Sequence, residues 1–166
     1  MMALSAMLRM WTAVVVALAL LMPLAAQDRL AVELTRYQQE TDPVRKARAL
    51  AKLGNDQIAL ARKQLKDGKD VASLQTLEQY RDEVQQTAAG LKATGIDAEK
   101  KPAGFKELQI SLREIIGRID DLILTLPVDK RPFFREVRSD LAKTQNDLID
   151  ALFPRRPDQG LRKTNP

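Results

Sequence analysis

The side chains best suited to chemistry in this chain are two sets of carboxylates. Glu114, Asp120 and Asp121 fall in one stretch with helical patterning, and Asp140, Asp147 and Asp150 in the next. Two buried carboxylates on facing helices would hold a hard cation or divide general-acid and general-base work. The spacing of the apolar residues argues against both. It puts Glu114 and Asp121 on the side opposite the apolar stripe, while Asp140 and Asp147 flank the stripe of their own helix. Charged residues are seldom buried, so these six read as a solvated face. No catalytic residue, metal ligand or cofactor is expected.

What the chain lacks narrows the classes further. Its 166 residues contain no Cys and no His. That removes disulfides, thiol nucleophiles, zinc–thiolate sites and every catalytic arrangement that needs an imidazole. Ser73, Ser111 and Ser139 all lie inside expected helices, a poor position for a nucleophile. No Gly-rich phosphate loop or Gly-x-Ser-x-Gly elbow occurs. Aromatic residues make up 4% of the chain, too few for a base-stacking platform.

The remaining chemistry is electrostatic. Residues 43–69 carry eight cations against Asp56 and Asp67, a balance of +6, whereas residues 70–91 carry a balance of −3. At 100° per residue, Arg45, Arg48, Lys52, Arg62, Lys63, Lys66 and Lys69 share roughly 120° of one helix surface. Such a stripe would engage an anionic polymer or lipid head groups. The plainer expectation is a solvated face partly paired with the acidic helix that follows.

The first 26 residues are of another kind. Arg9 is the only charge before Asp28, and Met10 to Ala26 is an uncharged run of 17 residues ending in Pro23-Leu24-Ala25-Ala26. A membrane-spanning helix needs about 20 apolar residues. A basic start, an apolar centre and small residues at the end read as a secretory leader cleaved after Ala26, although Leu24 stands where a small residue is usual. The alternative is an N-terminal membrane anchor. Export makes the absence of Cys intelligible, since a thiol-free chain is indifferent to an oxidising compartment. It also redirects the basic balance (+5, or +4 without Arg9) away from nucleic acid and toward the cell envelope. The expected location is periplasmic or secreted. The partner is an unidentified protein or the envelope, with membrane contact only through the leader or peripherally, and the oligomeric state is left open.

Beyond the leader, prolines and glycines mark helix ends. Asp42-Pro43 is an N-cap followed by a first-turn proline. Gly68 closes a helix and Asp70 caps the next; Gly95 closes that one, and a polar loop runs to Pro102. Helices are expected over 29–40, 43–67, 70–93, 104–126 and 130–153, and no strands. Phe105, Leu108, Leu112, Ile115, Ile119, Leu122 and Leu126 follow three- and four-residue steps, widened by Ile116 and Ile123. Phe134, Val137, Leu141, Thr144, Leu148 and Leu152 repeat the spacing. Leu74, Leu77, Tyr80, Val84, Ala88 and Leu91 form a third face, and Ala47, Leu50, Gly54, Ile58, Ala61 and Leu65 a leaner fourth. Four long helices joined mostly by short loops predict an all-α, up-and-down four-helix bundle with antiparallel neighbours and a short extra N-terminal helix. The domains expected are a leader (1–26), the bundle (27–153) and a disordered basic tail (154–166) with Arg155, Arg156, Arg162 and Lys163.

Leu53-Gly54 echoes a tetratricopeptide repeat, but the flanking helices are too long for a 34-residue unit and no second copy follows. Between Arg45 and Arg81, an Ala/Leu/Arg-rich helix meets a Leu-Glu-x-Tyr helix after the turn Lys66-Asp67-Gly68-Lys69-Asp70. This pattern resembles an uncharacterised helical domain of exported bacterial proteins. The resemblance covers under a third of the chain, implies a bundle and export, and brings no activity. The function expected is that of a non-catalytic exported domain acting through protein–protein or envelope contacts, the alternative being a binding module for anionic polymer or lipid.

One row does not fit a simple solvated face. Ile110, Gly117 and Leu124 recur every seven residues on the back of the 104–126 helix. A glycine there costs about 0.5–1 kcal/mol against alanine and lets another helix approach closely. The row is expected to be covered, by the front helix with its Leu30, Leu34 and Tyr37 stripe or by a second copy of the chain. The leader offers a simple test. Trp11 is the only Trp, so the purified native protein should show no indole emission, and tryptophan fluorescence would mean that the segment is retained.

Overall fold

The computed structural model describes residues 29–154, so the leader and the tail beyond Pro154 lie outside the described residues. Five helices and no strands occur among them: α1 (29–39), α2 (Pro43–Lys66), α3 (Asp70–Ala93), α4 (Phe105–Thr125) and α5 (Arg131–Leu152). Their bounds follow from local chemistry. The Asp42 carboxylate accepts the Arg45 backbone N–H at 2.7 Å and Pro43 occupies the first turn, which starts α2 as expected. Gly68, at φ 71°, takes the left-handed conformation that turns the chain out of α2. The expected cap at Asp70 is not formed: Lys69 holds the capping position without a side-chain bond. Asp70 is instead the first helical residue, its carboxylate engaged by Lys130. At α4 the Glu107 carboxylate accepts the Gly104 N–H at 2.7 Å.

The main packing pairs are α2 with α3, α4 with α5, α2 with α4, and α3 with α5. The helices alternate in direction, but chain neighbours are not always space neighbours. Arg48 meets Glu107, Ser111 meets Ala51 and Arg118 meets Asn55, so α2 and α4 run side by side in parallel. Asp70–Lys130, Arg81–Asp140 and Lys92–Asp147 place α3 and α5 in parallel likewise. The expectation that short loops make every neighbour antiparallel is thus corrected. The α3–α4 connection, residues 94–104, is long enough to cross the end of the bundle diagonally. Ala98, buried within it, lies against the core that it crosses.

The faces predicted on α4 and α5 are buried at every position. Leu65 and Leu74, assigned to the core by periodicity, are only half-buried, while Leu53 is fully buried. Burying one such side chain contributes about 1.5–3 kcal/mol, so these stripes drive assembly. Polar groups are used where helices come closest. Ser73 donates to the Ala61 carbonyl at 2.9 Å, and Ser111 to the Ala51 carbonyl at 3.3 Å. Front helix α1 docks through Tyr37, whose hydroxyl shares a 2.9 Å hydrogen bond with Thr87 and donates to the Glu83 carbonyl at 3.2 Å. Lys46 Nζ lies 5.0 Å from the centre of the Tyr37 ring.

At the middle of the bundle, Gly54 of α2 faces both Tyr80 of α3 and Ile115 of α4. A Cβ at position 54 would lie 2.6 Å from Ile115 Cδ1 and 2.8 Å from Tyr80 Cε2. Tyr80 is fully buried and its hydroxyl has no partner within hydrogen-bond geometry. Burial pushes the Tyr80 phenol far above its ordinary ionisation range. Ser111 opposes the shift and Glu83 adds to it.

Candidate functional site: a basic face divided into two grooves

Helix α2 presents its cations outward because Ala47, Leu50, Leu53, Gly54, Ile58 and Ala61 are drawn into the core on the other side. Arg45, Arg48, Lys52, Arg62, Lys63, Lys66 and Lys69 are all exposed. They do not form one continuous stripe. Ten residues, about 15 Å of helix, separate Lys52 from Arg62, and the surface between holds Asn55, Asp56 and Ala59. Lys69 leaves the set altogether: α2 ends at Lys66 and the Gly68 turn redirects the chain, so the helical angle no longer places residue 69.

The upper patch lies along the α1–α2 groove, where Arg36, Arg45, Arg48 and Lys52 line a space of about 260 Å³ with Glu33 and Glu40. Half of its cations are answered, while Arg36 and Lys52 have no ion pair but share the space with Glu33 and Glu40. Arg45 lies 3.5 Å from Glu40 and 3.8 Å from Asp42, and Arg48 lies 3.0 Å from Glu107. Partial burial pushes the Glu107 carboxyl up, but the backbone N–H groups at the start of α4 and the Arg48 guanidinium outweigh it and hold the group below its usual range.

The lower patch is different. Arg62, Lys63 and Lys66 of α2 face Arg118 of α4 across a groove of about 420 Å³, with Asp121 on its wall. Lys63 has only the weak 3.9 Å contact with Asp67. Among the described residues no carboxylate lies within ion-pair distance of Arg62, Lys66 or Arg118, and Arg118 donates instead to the neutral Asn55 side chain at 2.9 Å. The cations also sit in the last turn of α2, where the helix dipole favours positive charge. Four cations against one open carboxylate give this groove an excess of positive charge. Arg118 and Asp121 escaped notice as its members because only the parallel α2–α4 packing brings them to α2.

The expected pairing with the acidic helix does not occur. No stripe cation bonds to Glu78, Asp82 or Glu83. Asp82 pairs with Arg81, and Glu83 accepts from Gln57 and Gln79. The reason is orientation, since α3 packs on the apolar side of α2. The carboxylates first considered for chemistry fall into two groups. Asp120 accepts both nitrogens of Arg138 at 3.0 Å, which holds that guanidinium above its ordinary value, while Asp140 and Asp147 pair with Arg81 and Lys92. Glu114, Asp121 and Asp150 remain exposed. Among the described residues no three carboxylates converge as metal ligands would, and no helix is long and apolar enough to cross a membrane.

For the Ile110–Gly117–Leu124 row, one of the two expected covers, the front helix, is corrected, and a second copy of the chain is the other. Helix α1 seats on α2 and α3 through Tyr37 and does not cover the row. Leu124 is 73% exposed, Ile110 is at the surface, and nothing lies within 4 Å of a Cβ built at Gly117. Comparison with protein-family models, curated proteins and solved structures gives no match. The resemblance over Arg45 to Arg81 therefore stands on its own residues, and the site on its own geometry.

In the single chain, Gly117→Ala should raise stability by about 0.5–1 kcal/mol, because it adds helix propensity and meets no neighbour. Denaturant unfolding and light scattering read the outcome. A loss of stability together with a halved mass would instead place a second copy over this row.

Proposed function

We propose that this chain is a non-catalytic exported helical domain that acts through contacts with proteins or the cell envelope. The observation that carries the reading is where the charges end up. Asp120, Asp140 and Asp147 are spent on ion pairs between helices, whereas Arg62, Lys66 and Arg118 are left without a carboxylate partner. A surface of unanswered cations around a groove suits recognition, and it offers no nucleophile, acid–base pair or metal ligand set with which to transform what it holds.

A second reading narrows the first: the groove between α2 and α4 holds an anionic polymer or lipid head group. The groove favours it because its four cations come from two helices fixed by the core, so only their side chains, and not the backbone, have to be ordered at binding. The leader supports export in both readings. Neither calls for a cofactor or for nucleic acid.

Co-sedimentation of the chain with its own envelope fraction at low and moderate salt tests this function. Association that falls steeply with salt, and about thirtyfold or more on Lys63→Glu/Lys66→Glu (roughly 1 kcal/mol per surface cation), is the result expected for the groove. Salt-insensitive association that the double variant leaves intact would turn the reading to a protein contact elsewhere on the bundle. No association at either salt would overturn the function proposed.

A further inference from the structure

Both turns at one end of the bundle meet. Lys130, between α4 and α5, bonds to the Asp70 carboxylate at the start of α3, and Arg131 donates to the Leu126 and Leu124 carbonyls. At this end the surface is unusually apolar. Val71 is 72% exposed, Leu124 73%, Val128 76% and Phe133 58%, half of the large apolar side chains exposed among the described residues. Around them stand Lys66, Lys69 and Arg135, exposed and without an ion-pair partner among the described residues, interspersed with the exposed carboxylates of Asp67, Asp129 and Glu136. The basic groove opens onto the same end, since Arg62 and Lys66 also line its continuation beside Thr125, Leu126 and Pro127.

We propose that this end of the bundle docks on an anionic lipid surface, with Val71, Val128 and Phe133 entering the head-group layer and Lys66, Lys69 and Arg135 meeting lipid phosphates. The inference rests on the envelope-contact reading and names the surface contacted. Two independent features carry it. Exposed apolar tips gain nothing from a soluble polyanion, and the surplus of cations that the adjoining groove brings to this end through Arg62, Lys63 and Arg118 gains nothing from an uncharged apolar partner. A lipid surface of negative charge satisfies both at once. The geometry is that of a peripheral contact: short turns and helix ends dip in, and the four core helices stay outside.

The absence of Cys makes the test position-specific. Val128→Cys and Phe133→Cys, each carrying a nitrobenzoxadiazole label on the full chain, report the polarity at their own site with or without the leader. Phe153→Cys, exposed at the far end of α5, is the control. On phosphatidylglycerol-containing vesicles the labels at 128 and 133 should brighten several-fold and shift to the blue. The label at 153 should not respond, nor should any label on phosphatidylcholine alone, and Lys66→Glu/Lys69→Glu should reduce the response severalfold. Labels at 128 and 133 that stay in water, or that respond no more than 153, overturn the proposal. In that case, salt-sensitive binding of soluble polyphosphate to the same chain would leave the envelope-contact reading standing, and a chain that binds neither polyphosphate nor its own envelope fraction would remove both. A response that grows with protein concentration in the absence of lipid would assign this end to a second copy and also overturn the proposal.

Discussion

The bundle depends on one close approach. Gly54 has no side chain, and the space a Cβ would take is filled by the Tyr80 ring and the end of Ile115. Because α3 and α4 both reach α2 at this point, the glycine sets how near the three helices lie. The hydrogen bonds of Ser73 and Ser111 to α2 carbonyls, at 2.9 and 3.3 Å, are made possible by the same closeness. The Tyr80 hydroxyl is the cost. It is enclosed without a partner, the kind of buried polar group that most folds avoid, and the packing of its ring must outweigh the loss.

With α2 held against α3 and α4, its remaining surface has to face outward, and that decides where the charges go. Apolar burial supplies the stability, while exposed ion pairs contribute about 0–1 kcal/mol each. The contacts of Arg138 with Asp120, Lys92 with Asp147 and Arg48 with Glu107 therefore do more to fix helix register than to hold the bundle together. They also remove the carboxylates from any other use. What is left is a surplus of positive charge along the lower half of α2, in a groove that α4 completes. The proposed contact function grows out of that surplus.

Much of this was legible in the sequence. The stripes of α4 and α5 are long, regular and apolar, and nothing competes with them for the core. Asp42-Pro43 and Gly68 act within a few residues of themselves, so their roles survive folding. What could not be read depends on non-local packing. The diagonal crossing of residues 94–104 is invisible to periodicity, and with it went the parallel α2–α4 pair, the membership of Arg118 and Asp121 in the groove, and the docking place of α1. The stripe of seven cations loses Lys69 and its continuity, because an angular projection ignores distance along the axis and the end of the helix. Leu65 and Leu74 kept the period of their helices yet sit near the end where the bundle opens to water.

The central claim, that the approach at Gly54 organises the bundle, is best tested by a double-mutant cycle with Tyr80. Unfolding of Gly54→Ala by denaturant should show a loss of about 1–2 kcal/mol, overpacking outweighing the gain in helix propensity. In a Tyr80→Leu background the contacts with the ring are gone and only the mobile end of Ile115 has to shift, so the same substitution should cost at least about 0.5 kcal/mol less. An equal effect of Gly54→Ala in both backgrounds would contradict the account, because position 54 would then not be in contact with Tyr80.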